Sequence, residues 1–222
     1  MNFMSMLKSL DELLYEVMSW LIFYPITLWR ALTRPLAMMD YSDHELGQTD
    51  EEQYTDTLRP PLFLLLSLLL VHGLELVVVG DSPLSASKRG LAALVTDDTS
   101  RLLMRLVIFS VFPLIFAARM VRLERKGLTR NSLRRPFYAQ CYAVAPFALV
   151  MSLAGILLQL HPLWAGIAGL AVGAIALIVF GVVQARWFAQ HLKRGLLAGF
   201  GFASIAMVES LVVVLLTSPL FT

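Results

Sequence analysis

Charge is scarce in this chain. Of its 222 residues only 15% are Asp, Glu, Lys or Arg, and the formal net charge is +2. So small an excess gives no bulk electrostatic basis for binding nucleic acid. Cysteine is nearly absent. Cys141 stands alone, which rules out an intrachain disulfide and any metal cluster built on thiolates. The four histidines are dispersed. "HGLE" at His72–Glu75 lacks the second histidine of a His-Glu-x-x-His zinc site. The acids around His44 lack the glycine pattern of a calcium loop. There is no phosphate-cradling Gly-x-x-x-x-Gly-Lys, and no aspartate lies inside an apolar run. "GFGFAS" at Gly199–Ser204 reads as packing glycine, not as a nucleophile motif. The start, "MNFMSMLKSLDELL", has one lysine and then acids, so no cleavable leader is expected. These absences predict a protein that is not an enzyme and holds neither cofactor nor metal.

Apolar residues are in excess. They make up 58% of the chain, against about 45–50% in a soluble domain. They gather into blocks near the roughly 17–25 residues that cross a bilayer. Five spanning helices are expected, at about 62–80, 102–118, 137–160, 163–185 and 196–220. The fold class is therefore all-α, a polytopic membrane protein with residues 62–222 as its transmembrane domain. Residues 1–39 read as an amphipathic helix lying in the interface and kinked at Pro25. Leu10, Leu13, Leu14, Val17 and Leu21 recur at helical spacing, and "WLIFYPITLW" supplies boundary aromatics. A re-entrant or sixth spanning segment is the alternative for this region. Residues 40–61, rich in acid, read as a solvated cytoplasmic linker.

Basic residues set the orientation. Arg119–Arg135 carries seven of them, Arg119, Arg122, Arg125, Lys126, Arg130, Arg134 and Arg135, against one acid. The link from Arg186 to Arg194 adds three more on the same side. The positive-inside rule makes that side cytoplasmic. The N-terminus is then expected in the cytoplasm and the C-terminus in the periplasm of a bacterial inner membrane. Headgroup contact, not nucleic acid, explains the basic loop.

Inside the spans, ionisable residues are costly and mark either function or a buried clamp. His72 lies about 15 Å and Glu75 about 20 Å from the cytoplasmic edge, on one helix face. Glu209 lies at a similar depth from the same edge, so His72 and Glu209 are expected to touch, with Glu75 nearby. Arg105, near the outer edge, completes this intramembrane polar site and is expected to snorkel outward. Gly169–Gly173 and Gly195–Gly199 stand at small-xxx-small spacing, and these four with Gly166 are expected to let helices approach closely. Pro113 and Pro146 are expected to kink their helices.

The layout resembles the Ypt/Rab-interacting (YIP) family and its bacterial relatives. It shares with them a polar N-terminal region followed by five spans, the first opening with "RPPLF" at Arg59–Phe63. The Asp-Leu-Tyr-Gly-Pro signature of the eukaryotic members is absent, so no functional residue carries over. Small bacterial proteins labelled permeases look similar as well. The functional expectation is permease-like transport of a small solute, ion or lipid through the His72/Glu75/Glu209 pocket. The rival is an accessory or scaffold subunit of a larger membrane complex. The expected partners are the lipid bilayer and either a second copy or a larger complex.

Overall fold

A computed structural model describes residues 3–49, 52–79 and 98–217. Most of the outer loop expected at Asp81–Arg101, the Arg105 side chain and residues 218–220 lie outside the described residues. Seven helices follow in order: α1 Phe3–Thr33, α2 Pro35–Glu45, α3 Pro60–Val78, α4 Asp98–Leu123, α5 Arg130–Gln159, α6 Leu163–His191 and α7 Leu196–Thr217. Among the described residues there is no strand.

Helices α3 to α7 are each long and apolar enough to cross a bilayer. Their outward faces carry Leu69, Leu70, Ile167, Leu170, Ile178, Leu211 and Leu215, all exposed. Monomeric water-soluble proteins rarely leave so continuous an apolar surface uncovered, and five helices of spanning length account for it here. The chain is a multi-pass membrane protein. Helix α5 is the hub. It packs against α3, α4 and α6, and α7 closes the other flank on α6 and α4. Its stretch Ala139–Ala148 is buried on every side, and alternating small residues there admit large rings from its neighbours. Phe147 stacks on Phe180 at 4.3 Å between centroids.

Local chemistry sets the boundaries. Pro60 and Pro61 open α3, where a missing N–H costs nothing. Thr129 and Ser132 form a reciprocal capping box at the start of α5. At the same end of the bundle α4 and α6 stop by one device: Arg125 and Lys193 take positive φ. The next amides then reach back to the Val121 and Ala189 carbonyls. The basic loop is consequently shorter than the sequence reading. Arg119 and Arg122 belong to α4, Arg130, Arg134 and Arg135 to α5, and only residues 124–129 connect them.

The N-terminal region also departs from expectation. Residues 3–33 form one helix running unbroken through Pro25. The break comes at Arg34, because Pro35 bars its neighbour from helical geometry and starts α2 afresh. Helix α1 leans across α3. Arg30 reaches Asp56, Thr27 accepts from the Leu58 amide, and Tyr24 donates to Ser67, a descent of about 10 Å along α3 beyond Pro60. Its earlier apolar residues Leu13, Leu14, Val17 and Leu21 remain exposed.

Candidate functional site

Two polar constellations stand out, one inside the spans and one capping the basic end. Within the spans, Arg119 of α4 donates to Glu209 of α7 at 2.5 Å. Their backbones lie at different depths, Arg119 about 6 Å from the end of α4 and Glu209 about 20 Å beyond the start of α7. Side chains lean toward the N-terminus of their own helix. On α4 that direction points into the membrane, and on antiparallel α7 it points back toward the basic end. The two long side chains converge. Arg119 is 19% exposed and Glu209 41%, and the Arg119 Nε is buried without a partner.

This pairing corrects the expected His72–Glu209 contact. Helix α4 lies between α3 and α7, so Glu209 meets an arginine that the sequence reading had assigned to the basic loop. Glu75 sits on the other flank, accepting from Gln159 of α5 at 3.5 Å. His72 is half-buried on α3. Glu75 and Glu209 thus lie on different seams, α3/α5 and α4/α7.

The prolines do not open a polar path either. Helices α4 and α5 continue through Pro113 and Pro146, both buried. Pro146 lines a groove of about 240 Å³ between α5 and α6 whose other walls include Phe147, Val150, Val179 and Val183, all apolar. Of the glycines, two bring backbones together. A Cβ on Gly169 would fall 2.8 Å from the Ala154 carbonyl oxygen, and one on Gly199 would collide with the Ala185 carbonyl and Ala189 backbone. Gly173 meets only the Ala154 methyl at 3.6 Å, and Gly166 and Gly195 face open space.

The reading of residues from the sequence missed a buried amide pair. Gln140 of α5 and Gln184 of α6, both fully buried, exchange hydrogen bonds of 2.9 and 2.7 Å. Each amide satisfies the other, so two polar groups sit in the core at little cost. Two glutamines at comparable depth in adjacent apolar helices were the available signal.

At the basic end, the segment expected to be a solvated linker is folded onto the bundle instead. Tyr142 of α5 donates to the Leu58 carbonyl at 2.6 Å and lies 3.3 Å from the Thr57 hydroxyl. Glu45, buried, accepts from the Tyr54 amide. Asp56 accepts from Arg30 and Tyr41, each at 2.7 Å. His191, at the end of α6, faces Asp40 at 3.6 Å and Asp43 at 3.7 Å through Nε2. Four of the acids in this stretch, Asp40, Asp43, Glu45 and Asp56, are therefore engaged in contacts within the chain. Burial pushes the Tyr54 phenol up to about 12 and raises Tyr41 further, so both remain hydrogen-bond donors at any physiological pH. Removing the Tyr142 hydroxyl orphans this clasp. Tyr142→Phe is expected to cost about 1–2 kcal/mol, read as a lower midpoint of thermal unfolding in detergent.

The Arg30 guanidinium, with help from Tyr41, holds the Asp56 carboxyl below its ordinary 3.8. Its stabilising contribution is complete above that value and is lost as pH falls through the lower folded one. The stability gap between the wild type and Asp56→Asn should accordingly close on acidification below the carboxylate range. A gap that persists in strong acid would exclude this linkage.

Among the described residues no group of three or more His, Cys, Asp or Glu is placed to hold a metal ion. No protein-family model, curated protein or solved structure matches this chain.

Proposed function

We propose that the chain is a non-catalytic accessory or scaffold subunit of a bacterial inner-membrane assembly, with its basic end in the cytoplasm and its C-terminus in the periplasm. One observation carries this reading. Among the described residues the two intramembrane carboxylates lie on separate helix seams: Arg119–Glu209 joins α4 to α7, while Glu75 of α3 accepts from Gln159 of α5. The docking element would be the first half of α1. Its apolar stripe is uncovered, and Asp11, Glu12 and Glu16 are exposed beside it. The YIP-like layout accords with a membrane adaptor of this kind. Permease-like transport is the second reading, supported by the 41% exposure of Glu209 within a span.

Proteoliposomes separate the two. Under the scaffold reading, vesicles holding the wild-type chain keep an imposed pH gradient as long as empty vesicles do. Deleting residues 1–19 then lowers the mass of the native assembly without lowering the unfolding midpoint. Gradient collapse by the wild type, abolished in Glu209→Gln, would establish a transport path and overturn the scaffold.

A further inference from the structure

The α4–α5 seam opens at the basic end into a groove of about 700 Å³, lined by Leu114, Arg130, Asn131, Arg134, Phe137 and Tyr138 among others. The volume falls within the range of small-molecule sites, about 300–1,000 Å³. Its polarity is graded. Arg130, Asn131 and Arg134 are exposed at the rim, in the first turns of α5. Phe137 is about 10 Å further into the apolar layer, and Leu114 lies about 14 Å from the end of α4. The Arg134 guanidinium rests over the Tyr138 ring at 5.6 Å, a cation–π contact that helps to place it at the rim. The flanking Arg122, Arg125 and Arg135 are exposed too. The neighbouring acid Glu124 is taken up by Lys126 at 2.8 Å, so the field over the rim is positive.

We infer that this groove is a binding site for one anionic glycerophospholipid. The phosphodiester would lie on Arg130, Asn131 and Arg134, and an acyl chain would lie against Phe137 and Leu114. A guanidinium fork matches a phosphate geometrically, and such a lipid carries charge above and hydrocarbon below in the same order as the groove. A free phosphate would use the rim and leave the floor unfilled. The site requires only that the spans lie in a bilayer and is independent of the choice between scaffold and transport.

The test uses the full chain in mild detergent, titrated with fluorescent phosphatidylglycerol. Arg130→Gln/Arg134→Gln is expected to weaken binding about thirty-fold, two surface cations at about 1 kcal/mol each. Arg122→Gln/Arg125→Gln removes the same charge outside the groove and is expected to change it by about three-fold or less, since salt screens within about 8 Å. Leu114→Trp, which fills the floor and leaves every charge in place, is expected to weaken binding as well. All three variants alter exposed positions, and an unchanged elution profile confirms the fold. Equal losses in both arginine pairs, equal binding of phosphatidylcholine, or full competition by soluble glycerol phosphate would each overturn the site.

Discussion

Gly199→Ala should destabilise the protein by about 2 kcal/mol, although the same change in an unobstructed helix stabilises by up to about 1 kcal/mol. The sign reverses because of where the methyl goes. At Gly199 it meets the Ala185 carbonyl and the backbone at Ala189. Neither is the end of a flexible side chain, so α7 must move away from α6. The seam it opens is a major one, between two spans joined by a short connection. Gly166→Ala on α6 is the control. Its methyl enters open space, so the helix-propensity gain is not offset. Thermal unfolding of both variants in one detergent should give opposite shifts. Shifts of the same sign would mean that α6 and α7 do not touch at Gly199.

The second large effect concerns the ion pair. Breaking a buried pair by removing one partner costs about 3–5 kcal/mol. Arg119–Glu209 is partly exposed, so the lower end applies. The two single variants should differ. A carboxyl left alone in hydrocarbon can take up a proton, whereas a guanidinium cannot lose its charge. Glu209→Gln should therefore destabilise more than Arg119→Met. The double variant Arg119→Met/Glu209→Leu should recover most of the loss, because apolar replacement of both partners is often neutral or better. Additive losses in this cycle would show that the residues do not interact.

The five spans were legible because lipid imposes a long apolar run on each of them, and the predicted ranges fall on α3 to α7. Helix ends were less legible. The basic residues at Arg119, Arg122, Arg130, Arg134 and Arg135 read as loop by charge, yet helices carry them because arginine is a good helix former. The polar site was misread for a geometric reason. Matching His72 with Glu209 compared backbone depths and ignored both side-chain lean and which helices adjoin. Those two facts place Arg119 on Glu209 instead. The acidic segment was misread because composition reports solubility and not partners. Asp40, Asp43, Glu45 and Asp56 are polar in sequence and engaged in the fold. Gln140 and Gln184 escaped notice because neither is ionisable, though together they hold α5 to α6 from inside the core.

Under the proposed orientation, α5 carries the chain from the cytoplasmic face to the periplasmic one. Single cysteines at Arg125→Cys and His161→Cys, in a Cys141→Ala background, report it directly through a membrane-impermeant maleimide applied to spheroplasts. Position 161 is predicted to label in intact spheroplasts and position 125 only after lysis. Labelling of both positions from the same side, or of position 125 alone before lysis, would rule out this orientation.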